Sequence, residues 1–212
     1  MEHRRAAACP LRGTAVAAMR EWKEGASAAM DRYACGDDAA FSELYDLLAP
    51  RLSSFAMRRT RDEGATEDLV QQTFLQMHCA RRHFAPGSAV APWAFAIARR
   101  LLIDTFRKKG RGPVWVDEDD DDARESVAPG ASPAEVTARR RLARRMSEEL
   151  ARVSETDRTA FELVRFDGLS MAEAAEVLGT TANAVKLRAF RTAEVLRASL
   201  GDEAREELEG SW

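Results

Sequence analysis

The segment TTANAVKLRAFR, residues 180–191, brings together side chains that can bind DNA. An amide such as that of Asn183 can hydrogen bond to both polar atoms on the major-groove edge of adenine. Lys186 and Arg191 can read guanine or hold a phosphate, and Arg188 is placed to hold a phosphate as well. These residue types predict contact with duplex DNA, provided that a helix turns them outward.

A helical period of about 100° per residue sorts this segment into two faces. With Val185 as the buried reference, the same side holds Ala189, Thr192 and Leu196. The residues that point away are Asn183, Lys186, Leu187, Phe190 and Arg191, with Arg188 on the flank. The two apolar residues of this outward face are Leu187 and Phe190. We expect both to contact thymine methyl groups, or Phe190 to pack on a partner protein instead.

The preceding residues supply the other half of a helix-turn-helix. Ser170 with Glu173 forms a capping-box pattern, which predicts that a helix begins there. Ala175 is small enough for two helices to cross closely, and Gly179 can adopt the positive φ that a tight turn needs. The pattern predicts a helix-turn-helix that reads DNA; an unrelated helical hairpin is the alternative.

A second group of cations follows aromatic residues in PWAFAIARRLLIDTFRKKGR, residues 92–111. Between residues 99 and 112 there are six Lys or Arg residues and one acid, Asp104. Cations at the C-terminal end of a helix stabilise its dipole, but that role does not need six of them. Beside Trp93, Phe95 and Phe106, they predict a surface that holds a phosphate backbone and stacks unpaired bases.

The helical pattern ATEDLVQQTFLQMHCARR, residues 65–82, has an apolar side and a polar side. The polar side consists of Asp68, Gln71, Gln72, Leu75, Cys79 and Arg82. A leucine ringed by amides and an acid is typical of a helix that docks on a partner protein. The same face would also suit a solvated helix with one exposed leucine.

The 212-residue chain is predicted to be all-α, with two small helical domains joined by a flexible acidic linker. The domains are residues 37–112 and residues 134–200, and the second contains the helix-turn-helix. Residues 1–36 are predicted to be a mobile arm. The linker, residues 113–133, includes the acid run Asp117 to Asp122 and lacks the apolar residues needed for folding. Residues 201–212 form a short acidic tail.

In the first domain, a helix near residues 37–60 carries one apolar stripe. We expect this stripe to bury Phe41, Leu44, Tyr45, Leu48, Leu52 and Phe55.

Composition excludes several classes of protein. The three cysteines lie far apart and indicate neither a disulfide framework nor a zinc site, and His78, Cys79 and His83 lack a fourth ligand. Apolar runs are too short for a signal peptide or a membrane span, so we expect a soluble cytoplasmic protein with no membrane insertion. Without a phosphate loop or a nucleophile and base pair, we expect no enzyme and no cofactor.

The motifs and their order resemble those of bacterial RNA polymerase sigma factors of the extracytoplasmic-function group, in the sigma-70 family. DLVQQTFLQMH is similar to the family's segment that binds the clamp helices of the polymerase. PWAFAIARRLLIDTFRKKGR is similar to its segment that melts the promoter and reads the minus-ten element. GLSMAEAAEVLGTTANAVKLRAFR is similar to its helix-turn-helix for the minus-thirty-five element.

The resemblance implies three sets of contact residues. The set for core polymerase is Asp68, Gln71, Gln72 and Leu75. The set for the minus-ten element is Trp93, Arg99, Arg100, Asp104, Arg107 and Lys108. The set for the minus-thirty-five element is Thr181, Asn183, Lys186, Arg188 and Arg191. The chain departs from the family's usual residues at four positions. The family often has an acid where Gln72 stands and a large aromatic residue where His78 stands. It often has an asparagine at the position of Arg100 and a small hydroxyl residue at that of Leu187.

The function implied by the resemblance is that of a sigma factor, which binds core RNA polymerase and directs promoter-specific initiation. Residues 37–112 would correspond to sigma region 2 and residues 134–200 to region 4. The implied partners are duplex promoter DNA, the single-stranded non-template strand and an anti-sigma factor that restrains a stress or signal response. The alternative is a helix-turn-helix regulator that binds an operator without being a polymerase subunit.

Overall fold

The computed structural model describes residues 11–108 and 133–201, and every regular element within these ranges is helical. The prediction of an all-α fold is confirmed. The α-helices in these ranges are α1 (Leu11–Ala34), α2 (Ala40–Thr60), α3 (Glu63–Ala80), α4 (Val90–Lys108), α5 (Pro133–Arg152), α6 (Glu155–Arg165), α7 (Met171–Leu178) and α8 (Ala182–Leu200). The first ten residues, the predicted linker up to residue 132 with its acid run Asp117 to Asp122, and residues 202–212 lie outside the described residues.

Helices α1 to α4 pack around a shared apolar core. From the stripe predicted for α2, the structure buries Leu44, Leu48, Leu52 and Phe55. The Phe55 ring meets Phe95 of α4 edge-on, with the ring centroids 5.3 Å apart, which is a favourable aromatic geometry. The apolar side of α3 faces this core as predicted, so its polar side is left on the surface.

Helix α1 corrects the prediction of a mobile arm, which is wrong for the residues that this helix contains. Trp22 is buried, with 6% of its surface exposed, and Tyr33 is buried three turns later. The Arg51 guanidinium of α2 stacks over the Trp22 ring, 4.2 Å from its centroid. The sequence hides this helix because most of the buried positions between the two aromatics are alanines, which mark a face only weakly.

Helices α5 to α8 form the second domain. Ser154 caps α6, since its hydroxyl accepts a hydrogen bond from the Asp157 backbone N–H at 3.2 Å. Helix α8 packs mainly on α6, with Phe161 and Leu196 almost fully buried between the elements. Helix α5 covers the other side of α8 through Met146 and Leu150. Helix α7 packs on α8 and α6.

The two domains contact each other directly. Helix α4 packs on α7, and the apolar cluster of the first domain continues through Ala174 and Val177 of α7. At one margin, Lys23 of α1 donates a hydrogen bond to Glu173 of α7 at 2.8 Å. The sequence predicts only that a flexible acidic linker joins the domains; the structure adds that apolar side chains pack them against each other.

Two ion pairs lie at this contact between the domains, and the first of them is buried. Arg59 Nη2 lies 2.7 Å from Glu162 Oε2, and both side chains are at most 5% exposed. Arg58 Nη2 lies 2.5 Å from Asp167 Oδ1 beside the first pair. Because a buried charge that loses its partner costs about 3–5 kcal/mol, the Arg59–Glu162 pair holds α2 and α6 in register while the domains are packed.

We expect Trp22→Ala to lower the free energy of unfolding by about 3–5 kcal/mol, because it opens a cavity between α1 and α2. Chemical denaturation followed by circular dichroism measures this change. The matched control is Arg20→Ala, which alters an exposed ion pair on the same helix and should leave the unfolding midpoint unchanged. Equal effects of the two substitutions would show that α1 does not contribute to the core.

The carboxyl of Asp167 should make stability depend on pH. Burial raises its pKa from 3.8 to about 6, against the opposing charges of Arg58 and Arg59. A raised folded pKa means that the folded chain holds this proton more tightly, so the stabilisation is complete below about pH 4 and is lost as the pH rises through about 6.

Between pH 7.5 and pH 5, we therefore expect the wild type to gain about 1 kcal/mol relative to Asp167→Asn, which cannot titrate. Urea unfolding of both proteins at the two pH values gives this difference. If the difference does not change, or changes in favour of the variant, the carboxyl does not titrate in the way that its burial indicates.

Candidate functional site

The helix-turn-helix consists of α7, the turn at Gly179 and α8. Ser170 and Glu173 form the predicted capping box, in which the hydroxyl accepts from the Glu173 N–H and the carboxylate accepts from the Ser170 N–H at 2.6 Å. Gly179 has φ 62° and ψ 42°, a left-handed conformation that favours glycine. Thr181 caps α8 by accepting from the Ala184 N–H. The prediction of two capped helices around a glycine turn is confirmed.

The outward face of α8 is the one that periodicity predicted. The buried side holds Val185, Ala189, Thr192 and Leu196, each with no measurable exposure. The exposed residues are Asn183, Lys186, Leu187, Phe190 and Arg191. Arg188 is half-buried, and its Nε lies 3.9 Å from Asp157 Oδ1 of α6. Thr181 is exposed too, but its hydroxyl already serves as the helix cap.

The predicted minus-ten residues lie along α4, and the helix brings most of them to one face. Trp93, Arg100, Asp104 and Arg107 fall within a stripe about 60° wide, whereas Arg99 lies about 120° from Trp93. The exposed residues of the set are Arg100, Arg107 and Lys108. Trp93 is half-buried, and its ring packs on Phe84 with the centroids 5.3 Å apart.

Two polar contacts order the exposed part of this stripe. Arg100 donates a hydrogen bond to the Gln76 side chain of α3, so this guanidinium bridges two helices. Arg107 donates to the Asp104 carboxylate at 3.0 Å. Asp104 therefore orients a neighbouring cation, and the stripe keeps a net positive charge that suits a phosphate backbone.

The predicted polymerase-binding residues form one exposed patch on α3. Asp68, Gln71, Gln72 and Leu75 are all exposed, and they fall within about 100° of one another around the helix axis. Leu75 is 52% exposed, although most leucines of this domain lie in the core. The apolar anchor with a polar surround that the sequence predicted is therefore present on the surface.

An aromatic groove lies beside Leu75 and was not predicted from the sequence. Tyr45 was expected in the buried stripe of α2, but it is 42% exposed, because its ring stacks on Phe74 at 4.7 Å instead of entering the core. Tyr33 hydrogen bonds to His78 at the other side of the groove. The only sequence signal for Tyr45 was its offset of 100° from Leu44, which places it at the edge of the apolar stripe.

The described residues contain no group of three or more His, Cys, Asp or Glu side chains that could hold a metal ion. His78 lies near Cys79 in the chain, but its ring nitrogens contact Tyr33 and Arg81. None of the helices described is both long enough and apolar enough to cross a membrane.

Comparisons with known proteins match two separate segments of the chain, in the order of the predicted motifs. The sequence profile of Sigma-70 region 2 matches residues 44–112, and that of Sigma-70 region 4 matches residues 135–194. RNA polymerase sigma factor CarQ of Myxococcus xanthus is 31% identical over 173 residues, which are 82% of this chain and 96% of CarQ. ECF sigma factor SigF of Caulobacter vibrioides is 32% identical over 162 residues, or 76% of this chain and 86% of SigF. The chain belongs to the ECF group of RNA polymerase sigma factors.

Solved structures of sigma factors share this fold. CnrH in complex with the cytosolic domain of CnrY has a TM-score of 0.62 and 26% identity, covering 83% of this chain and 97% of CnrH. The sigma factor RpoE of Bartonella quintana was solved with the anti-sigma factor NepR. It has a TM-score of 0.60 and 24% identity, and the match covers 76% of this chain and 97% of RpoE. As a sigma factor, the present chain directs RNA polymerase to promoters.

Proposed function

We propose that this sigma factor binds core RNA polymerase through α3 and the promoter through α4 and α8. The observation that carries the proposal is that most residues of each predicted contact set lie on a solvent-facing side of one helix, while the opposite side of that helix builds the core. On α3, Leu75 is the apolar anchor, and Asp68, Gln71 and Gln72 surround it with hydrogen-bonding groups. A solvated helix gains nothing from an exposed leucine at the centre of such a patch.

Helix α4 captures the opened minus-ten element in this proposal. The guanidinium groups of Arg100 and Arg107 hold the backbone of the non-template strand, and Trp93 supports an unpaired base. The packing of Trp93 on Phe84 keeps its ring rigid, so little entropy is lost when a base stacks on it. Binding of separated bases offsets the cost of unstacking them, which is a few kcal/mol per base.

Helix α8 binds the minus-thirty-five element as duplex. Asn183, near the N-terminus of α8, reads a base edge, while Lys186 and Arg191 hold phosphates or read guanine. Arg188 lies on the flank near Asp157 and takes a phosphate beside the groove. Because most of these contacts are to phosphates, the binding should weaken as salt rises.

Contact with both promoter elements requires the packed domains to separate. The names of the elements place them about 25 base pairs apart, which is about 85 Å at about 3.4 Å per base pair. Helices α4 and α8 have 19 residues each, hence about 28 Å each, and α7 between them has 8 residues, hence about 12 Å. Even end to end, the three helices fall short of the distance.

The proposed function also includes control by a protein antagonist, an anti-sigma factor, and a role in a stress or signal response. The related CnrH was solved with the cytosolic domain of CnrY, which is support from a relative with 26% identity. The site of action is the cytoplasm, where bacterial polymerase and promoter DNA are found. The chain contributes binding and promoter choice, and the polymerase contributes all catalysis.

The proposal predicts that purified chain and core polymerase together initiate from specific members of a promoter library. Leu75→Ala should weaken the association with core polymerase about fivefold to tenfold, because it removes the apolar anchor of α3. Fluorescence anisotropy of the labelled chain gives the affinity, and run-off transcription gives the specificity.

The matched control is Met57→Ala, which truncates another exposed apolar residue of the first domain, 39% exposed on α2. It should leave both measurements unchanged. Equal affinities of the Leu75 and Met57 variants would contradict the assignment of α3. An operator-binding regulator would instead bind DNA tightly without polymerase and yield no promoter-specific transcripts.

Domain separation can be tested with a cleavable crosslink. Lys23→Cys and Glu173→Cys, with the three native cysteines replaced by serine, place thiols at an ion pair between the domains. A short bis-maleimide reagent with a disulfide spacer should abolish initiation at promoters that need both elements, and reduction should restore it. The uncrosslinked variant is the control. Full activity of the crosslinked chain would show that the packed arrangement can engage both elements.

A further inference from the structure

Leu187 occupies a central position on the DNA-facing side of α8. It follows Asn183 by four residues and precedes Arg191 by four, so the three side chains form one row with a residue on each turn. Lys186 and Phe190 form the neighbouring row. Leu187 is thus flanked along the helix by an amide and a guanidinium that can both hydrogen bond to base edges.

Packing within the chain does not account for this leucine. Leu187 is 50% exposed, while the core of the second domain takes Val185, Ala189 and Leu196 from the opposite side of the helix. Its exposure persists even though the two domains are in contact in this structure. The cations around it favour nucleic acid over an apolar protein surface as the occupant of this face.

The chemistry of the major groove leaves one target for an aliphatic side chain. The base edges there present mostly hydrogen-bond donors and acceptors, cytosine adds only a C5–H, and thymine alone presents a methyl group, at C5. A hydroxyl side chain at this position could hydrogen bond to a base or a phosphate. A leucine at this position loses those bonds and gains only where an apolar group meets it.

We propose that Leu187 is a specificity-determining residue that contacts a thymine methyl group in the upstream promoter element. The thymine lies between the base pairs reached by Asn183 and Arg191. This inference rests on the proposed function of α8, and it adds a base preference that the hydrogen-bonding residues alone do not supply.

Replacement of thymidine by deoxyuridine tests the proposal, because it removes only the methyl group. The holoenzyme, made from core polymerase and the full chain, first selects its upstream element from a random library. Each thymidine of that element, on both strands, is then replaced singly by deoxyuridine, and affinity is measured by competition. One replacement should weaken binding about fourfold, the factor expected for one buried methyl group.

The same series is repeated with Leu187→Ser, for which that replacement should have no effect. Val195→Ser is the matched control, since Val195 is an apolar residue of α8, 41% exposed and about 80° around the helix from Leu187. It should keep the full response to deoxyuridine. Thermal unfolding of both variants checks that the second domain stays folded.

Three results would overturn the inference while the proposed function stands. The first is a selected upstream element that contains no thymine. The second is a wild-type affinity that no deoxyuridine replacement lowers. The third is a loss of affinity on deoxyuridine replacement that Leu187→Ser shows as well. If Leu187→Ser instead weakens association with core polymerase, the leucine faces protein and the inference is wrong as well. Failure of the wild-type holoenzyme to initiate at specific promoters would overturn the proposed function itself.

Discussion

The arrangement of this sigma factor depends on one constraint, which is that charges buried between its domains must be paired. Arg59 and Glu162 are nearly inaccessible to water, and Arg58 with Asp167 lies beside them. Removal of either domain from this contact would expose all four groups to water, where they are well solvated individually. The packed state is therefore sensitive to its geometry: it is stable while the buried Arg59–Glu162 pair is in register, and a small displacement leaves these two charges without partners.

Apolar contact between α4 and α7 complements these ion pairs and joins the helix that we propose to bind the minus-ten element to the helix-turn-helix of the other domain. The exposed faces of α3 and α8 are directed away from the core in this packed state. Under the proposed contacts, a sigma factor in this form could still meet the polymerase through α3, but it could not span two promoter elements. In that proposal, the energy from polymerase and DNA binding exceeds the stability of the domain contact, because only the separated domains would reach both elements.

Much of the candidate site could be predicted from the sequence because it depends on local periodicity. The exposed face of α3, the buried reference Val185 of α8 and the turn at Gly179 each follow from the identities of residues within about two helical turns. Capping by Ser170 and Thr181 is equally local, since the partner N–H groups lie three residues away. The sequence also determined the order of the two domains, through motifs that do not depend on their packing.

The tertiary structure alone decided which of these local elements meet. Arg58 and Asp167 are 109 residues apart, and no period or motif relates an arginine in one helix to an aspartate in another domain. Helix α1 also could not be assigned to the core from its sequence. Its alanine-rich face is identified as buried by its packing on α2, where Arg51 covers Trp22. Tyr45 was predicted to be buried in the stripe of α2, but its ring instead packs on the Phe74 ring of α3. Spacing along a helix determines which face a residue occupies, whereas the partner of that face depends on long-range packing and charge pairing that the chain order does not record.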